Sequence, residues 1–333
     1  MTSKLQQYFP MIRTREEVLE EIRKSKKLSR EFQRWTEEQQ NEFLDFCSGA
    51  KGVKMLYDAF AKELLNPEVY PDRVAELLSL LLGKGVEILQ VLPNDNSRIA
   101  DESSLLVMDI LVKLQDGSIA NVEIQKIGYS FPGQRSACYS ADLLLRQYKL
   151  VRGQKAKNEF SYRDIKTVYT IVFFEKSTSE FHKYKDDYLH SFQQTSNTGL
   201  ELELLQKFLF IPLDIYKKKR HNIIINNRLD AWLTFLGSDD PEDIISIITV
   251  YPDFREMYEQ VYQICRNVEG VMGIFSEELR ILDRNTVRYM MDEMQSEIDQ
   301  QKRALKQKDE QLVQKESELQ NALARIKELE ENR

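Results

Sequence analysis

The sequence predicts an α/β protein, a small mixed core flanked by helices and closed by a long terminal helix. Three observations predict it. Within residues 51–175, three short β-like runs precede a helix and then a further β-branched run. The segments on either side carry helical periodicity. From about residue 287 the chain becomes low in Gly and Pro, and apolar residues recur every seven positions. The expected organisation is a helical N-terminal segment (1–50), the α/β core (51–175), a mostly helical region (176–286) and a coiled-coil-like helix (287–333).

Each element has a local reason. Thr14-Arg15-Glu16-Glu17 and Thr36-Glu37-Glu38-Gln39 both have the spacing of a capping box, in which the N-cap hydroxyl and the N3 side chain satisfy each other's backbone N–H groups. Val18 and Ile22 follow on one face, then Phe43 and Phe46, with Gly49 as a stop. Residues 51–65 and 72–82 read as helices, the second ending at Gly83. The β-like runs are 86–92, 104–114 and 119–127. Pro132 suits the first turn of a helix reaching about residue 151, where its missing N–H costs nothing. The run 167–174 (TVYTIVFF) has the composition of a buried strand. Residues 241–248 and 254–265 are helical, and 208–215 reads as a strand. In the tail, Ile298, Leu305, Leu312, Leu319 and Ile326 form one seam. The second seam reads Gln301, Lys308, Lys315, Ala322 and Leu329, so a coiled coil and a long solvated helix both remain open.

Composition excludes several classes. The 333 residues hold 47 Lys+Arg against 54 Asp+Glu, a net charge of −7, with 42% hydrophobic residues. That is enough apolar material for a sizeable core, and with only twelve Gly and eight Pro wholesale disorder and fibrous repeats are excluded. No apolar run reaches eighteen residues, and the N-terminus leads into no apolar leader segment; the expectation is a cytoplasmic protein. Cys47, Cys138 and Cys265 are odd in number and far apart, so neither a disulfide framework nor a CxxC zinc site is expected.

The stretch that carries chemistry is Met108-Asp109-Ile110, continuing through Gln115-Asp116-Gly117 to Asn121-Val122-Glu123-Ile124-Gln125. Gln115-Asp116-Gly117 suits a three-residue hairpin loop with Gly117 in the left-handed position. That loop sets Leu114 against Ser118, Val112 against Ala120, Ile110 against Val122 and Met108 against Ile124, an apolar face. Asp109 then opposes Glu123 on the other face, with Gln125 two residues along. A two-residue turn would shift the pairing by one and mix the faces. Like charges directly opposed destabilise a sheet; at ~4 Å and an effective dielectric of ~20 the repulsion is about 4 kcal/mol. A shared cation, a shared proton or full solvation relieves it. An all-oxygen ligand set selects Mg²⁺ or Mn²⁺ over zinc. From these residues alone, a metal pair and an exposed acidic strand face both stand.

The order helix, three strands, helix, strand around this hairpin resembles the restriction-endonuclease-like core of the PD-(D/E)XK nucleases. In detail it is similar to the PD-(D/E)XK nuclease-family transposases, also called recombination-promoting nucleases. The resemblance is carried by Met108-Asp109-Ile110, by Asn121-Val122-Glu123-Ile124-Gln125, and by the helix opening Pro132-Gly133-Gln134-Arg135-Ser136-Ala137-Cys138-Tyr139. The run Val168-Tyr169-Thr170-Ile171-Val172-Phe173-Phe174 and the segment Leu229-Asp230-Ala231-Trp232 are also similar. It covers roughly 51–290 and is strongest over 104–175.

The resemblance implies a Mg²⁺- or Mn²⁺-dependent DNA endonuclease of bacterial or mobile-element type. Asp109 and Glu123 would be the metal carboxylates, the Ile124 carbonyl a third ligand, and Glu76 an additional acid from the preceding helix, though a surface acid explains Glu76 as well. Gln125 stands where most of the superfamily has Lys, as is common in this branch; a neutral amide orients water or phosphate but supplies no positive charge. Arg135 and Tyr139, four apart on one helix face, resemble the Arg-xxx-Tyr of the family, and Lys126 and Arg135 would meet phosphates. Helix-to-sheet packing is an equal account of Tyr139. Between Lys126 and Lys166 nine basic residues face three acidic ones, which fits a DNA backbone, while Lys217-Lys218-Lys219-Arg220 reads as a solvated loop. The alternative is a degenerate nuclease fold serving as a nucleic-acid-binding or scaffold protein. An RNase H-like DDE transposase ranks third, since it does not call for a Glu-x-Gln hairpin. The terminal helix would self-associate weakly.

Overall fold

The computed structural model describes residues 3–92, 109–128, 132–155, 159–219 and 225–331. The chain divides into two compact units, Met1–Asn285 and Thr286–Arg333.

The first unit opens with α1 (Lys4–Tyr8), α2 (Arg15–Lys24), α3 (Lys26–Phe32) and α4 (Glu37–Cys47). Both expected capping boxes form: Thr14 accepts from the Glu17 N–H while Glu17 accepts from the Thr14 N–H, and Thr36 and Gln39 do the same. Next come α5 (Asp58–Leu64) and α6 (Pro71–Leu82), the latter starting on Pro71 and ending on Gly83 in the left-handed region (φ 64°). The helix expected over 51–65 is therefore confined to its second half. Gly52 explains the difference: its N–H donates to the Asp239 carbonyl at 2.7 Å, and the chain runs so close there that an added Cβ would lie 2.4 Å from Ile244 Cδ1.

The sheet follows as β1 (Ile88–Val91), β2 (Asp109–Leu114) and β3 (Ile119–Gln125), then the long α7 (Pro132–Gln154) and β4 (Val168–Phe174). After β4 come β5 (His190–Phe192) and β6 (Gln206–Pro212). The strand order is β1-β2-β3-β4-β6-β5. The pairs β1–β2, β2–β3 and β5–β6 are antiparallel, whereas β3–β4 and β4–β6 are parallel. The first part of the expected strand 104–114 lies outside the described residues. The run 208–215 is divided: β6 stops at Pro212, which has no N–H to continue a ladder, and α8 (Leu213–Lys219) begins at once. The unpredicted β5 is only three residues long, too short to leave a period-two signature.

Helices α9 (Arg228–Gly237), α10 (Pro241–Val250), α11 (Phe254–Cys265) and the start of α12 (Val268–Glu331) complete the unit. One sheet face, carrying Ile110, Val112, Val122, Ile124, Ile171 and Phe173, joins the main core with Leu77, Trp232, Phe235, Tyr258 and Phe275. Each such large apolar side chain contributes about 1.5–3 kcal/mol by leaving water. The other face meets α7, where Leu143 packs on Leu111, Ile119 and Val168. Among the described residues no helix is long and apolar enough to cross a membrane.

The second unit is helical through Glu331. Along it Ile298, Leu305, Leu312 and Leu319 are exposed at 45–61%.

Candidate active site

The hairpin loop fixes the site. Gly117 sits at φ 84° and its N–H donates to the Leu114 carbonyl at 2.9 Å, while the Leu114 N–H donates to the Ser118 carbonyl at 2.8 Å. With that closure β2 and β3 pair as Val112↔Ala120, Ile110↔Val122 and Asp109↔Glu123. The three-residue loop and the apolar faces thus agree on the register. Asp116 tightens the turn, accepting from the Ser118 N–H (2.9 Å) and from Lys84 (2.8 Å). Burial pushes its carboxyl up, but Lys84 and Ser118 outweigh burial and hold the pKa at about 2.

Because Leu114 and Ser118 are hydrogen-bonded to each other, alternation along the ladder makes Asp109↔Glu123 a non-hydrogen-bonded pair. In such pairs the Cα atoms stand only ~4.5 Å apart. The side chain of Asp109 lies outside the described residues; its backbone position opposite Glu123 is described. The same alternation directs the Gln125 carbonyl towards β4, where it accepts from the Glu175 N–H at 2.9 Å. The Ile124 carbonyl therefore points to the β2 side, towards the strand that holds Asp109.

Glu123 is fully buried and accepts a 2.8 Å hydrogen bond from Asn121 Nδ2. Gln125, on the same face, is 1% exposed, yet neither its amide oxygen nor its amide nitrogen finds a protein partner among the described residues. Thr170, paired with Asn121 in register, and Ser136 and Ser140 of α7 are equally buried, and their hydroxyls find no partner among the described residues. Each buried polar group left without a partner costs about 1–3 kcal/mol. Several on one face mark a place shaped for water, an ion or a substrate group.

Helix α7 roofs this polar layer. Ser136, Ser140, Leu143 and Gln147 form its buried stripe. Gln147 accepts from the Lys166 N–H at 2.6 Å, which ties the helix end to the approach of β4. Leu143 rests over the start of β3 and β4. Ser136 lies seven residues earlier, about 10 Å back along the helix, the length of three strand residues, which brings it level with Val122 and Glu123. The stripe is one residue on from the expected Arg135/Tyr139 pair. Those two side chains are half-buried and stack on each other, with the Arg135 guanidinium 5.2 Å from the Tyr139 ring centre.

Two expected contributors are committed elsewhere. Glu76 accepts from Arg228 Nε (2.6 Å) and Nη2 (3.0 Å) and from Trp232 Nε1 (3.1 Å), and Arg228 reaches on to Asp253. Its helix packs into the main core, on the sheet face opposite Glu123. Lys126, expected at a phosphate, is instead 5% exposed, with its ammonium 3.3 Å from Glu278 and 3.6 Å from Glu175 and hydrogen-bonded to the Leu56 carbonyl. The physical reason is strand alternation, which turns position 126 to the core side. Asn121, Thr170, Ser136 and Ser140 were not singled out from the sequence. Asn121 was legible in principle, being two residues before Glu123 on one strand.

The donor set suits a hard divalent cation: the Glu123 carboxylate, the opposed Asp109 position, the Ile124 carbonyl and the orphaned Gln125 amide, with no thiol or imidazole. Among the described residues no group of three or more His, Cys, Asp or Glu side chains is gathered for a metal. A divalent cation here would be held by two carboxylates with backbone and amide oxygens.

A mixed six-stranded sheet with a parallel β3–α7–β4 crossover is consistent with a PD-(D/E)XK-like fold. The family model for PD-(D/E)XK nuclease family transposases matches residues 58–290, and the chain belongs to that family. No curated protein and no solved structure matches it significantly.

Proposed function

We propose that this protein is a metal-dependent DNA endonuclease that hydrolyses phosphodiester bonds in the context of recombination or mobile elements. The observation that carries the reading is the register of Asp109 opposite Glu123 on the face where Gln125 is buried and orphaned. A divalent cation held by Asp109, Glu123 and the Ile124 carbonyl would polarise the phosphodiester and stabilise the departing oxygen. Gln125 aligns water or a phosphate oxygen through its free amide. Asn121 orients Glu123. Arg135, at the mouth of α7, holds a phosphate beside Tyr139, and the basic residues further along that helix receive the DNA backbone. Free thiols at Cys47, Cys138 and Cys265 are in keeping with a cytoplasmic protein, and the terminal helix self-associates.

One observation favours a second reading. Gln125 leaves the site without the cation that most of the superfamily supplies as Lys, as in a degenerate nuclease fold kept for nucleic-acid binding or scaffolding. Incubation with linear, supercoiled and single-stranded DNA, with and without Mg²⁺ or Mn²⁺, decides between them. Cation-dependent cleavage that Asp109→Asn abolishes is expected; DNA binding without cleavage in any cation supports the scaffold.

A further inference from the structure

Among its described residues, the second unit exposes an apolar seam. Met291, Ile298, Leu305, Leu312 and Leu319 recur at seven-residue intervals with 45–61% exposure. They fall on the a positions of a heptad whose d positions, from 301 onward, are Gln301, Lys308 and Lys315. We propose that this seam pairs with a second copy of the chain as a parallel, in-register two-stranded coiled coil, the lysine layers being neutralised across the interface by Asp309 and Glu316. The proposal deepens the self-association stated above and is independent of the nuclease reading.

The argument is one of charge placement. In a parallel pair, a packs against a′, and each d residue sits against d′ and e′. The e residues that follow the two lysines are Asp309 and Glu316, so each Lys meets an acid of the partner helix. One heptad earlier, Glu297 at g faces Lys302 at e′, the attractive combination of parallel coils. Apolar and charged layers are thereby segregated. Antiparallel pairing would instead layer a against d′ and set the lysines on leucines. Three or four strands would enclose the ammonium groups, whereas the thin core of a dimer lets a Lys stem lie on apolar surface with its head in water.

The test uses the full chain carrying Cys138→Ser, which leaves only the two buried cysteines Cys47 and Cys265. Light scattering is expected to give a dimer mass. With Leu319→Cys added, mild oxidation should convert the dimer to a disulfide-linked form. An antiparallel pair holds the two 319 positions some 30 residues of helix apart, about 45 Å, and would not cross-link. Lys308→Glu with Lys315→Glu should weaken the dimer at least about tenfold by setting acid against acid, and adding Asp309→Lys with Glu316→Lys should restore it to within about threefold. This charge exchange decides the matter even if Leu319→Cys loosens the coil. A monomer overturns the self-association and the pairing together; a dimer that neither cross-links nor responds to charge exchange overturns the parallel register alone.

Discussion

Asp109 and Glu123 occupy directly opposed positions at the open end of the β2–β3 ladder. Carboxylates at directly opposed positions on neighbouring strands repel unless a cation, a shared proton or solvation relieves them. Removing one charge should relieve repulsion while destroying the site. Asp109→Asn is therefore expected to leave the metal-free protein as stable or more stable, and to abolish both DNA cleavage and the rise in melting temperature with Mg²⁺. A loss of about 1–3 kcal/mol with no metal dependence in the parent protein would instead assign Asp109 to hydrogen bonding within the sheet.

Gln125 gives an independent readout. Its amide is buried without a protein partner among the described residues, and Met has a similar volume with no strong polar demand. Gln125→Met should stabilise the metal-free protein by about 1 kcal/mol while impairing cleavage. Chemical denaturation of the two proteins without cation checks the first half. A destabilised Met variant would mean that the amide serves the fold. Gln125→Lys is expected to keep metal binding and to alter the cleavage rate.

Gly117 tests the turn on which the register rests. At φ 84° any other L-residue is strained, and a Cβ here would lie 3.1 Å from Lys166 Cγ. Gly117→Val should cost roughly 1 kcal/mol or more. An unchanged melting temperature would show that the loop tolerates the substitution by adopting another turn.

The hairpin is legible in the sequence because two local signals agree: a Gly in a short loop and an alternating apolar face. Strand alternation then put Asp109, Glu123 and Gln125 together without any tertiary information. The same alternation turns Lys126 to the core, although a basic residue beside a candidate site suggests a phosphate contact. Glu76 was illegible for another reason. Its partners Arg228 and Trp232 are more than 150 residues away, and no local pattern announces a long-range ion pair. The sequence reads as helix over 51–65, but residues 51–57 are held out of it by the close approach of Gly52 to Asp239.

Lys126 holds a buried ion pair that contributes to stability. Its ammonium compensates Glu278, which is 7% exposed and also accepts from the Asp58 N–H. Removing one member of a buried pair strands the other charge, at about 3–5 kcal/mol. Lys126→Met should be destabilised by that amount, and Lys126→Met with Glu278→Gln should recover most of it. Equal losses in the single and double variants would show that the two side chains do not interact.

The same pair makes stability depend on pH. Burial raises the Glu278 carboxyl above its ordinary value, and Lys126 only partly opposes this. The folded protein thus holds the Glu278 proton more tightly than the unfolded chain does. Between the ordinary carboxylate pKa, roughly 4.3, and the raised folded value, the native state binds more protons, so stability falls as pH rises through that window. The contribution is fully present below the ordinary value and lost above the raised one. Glu278→Gln removes this titration. Urea denaturation across that range should show the parent protein losing stability relative to Glu278→Gln as pH increases, with the difference levelling off above the folded pKa. Parallel stability curves for the two proteins would place the Glu278 proton equilibrium outside the folding reaction and leave Lys126 paired with a carboxylate ionised throughout.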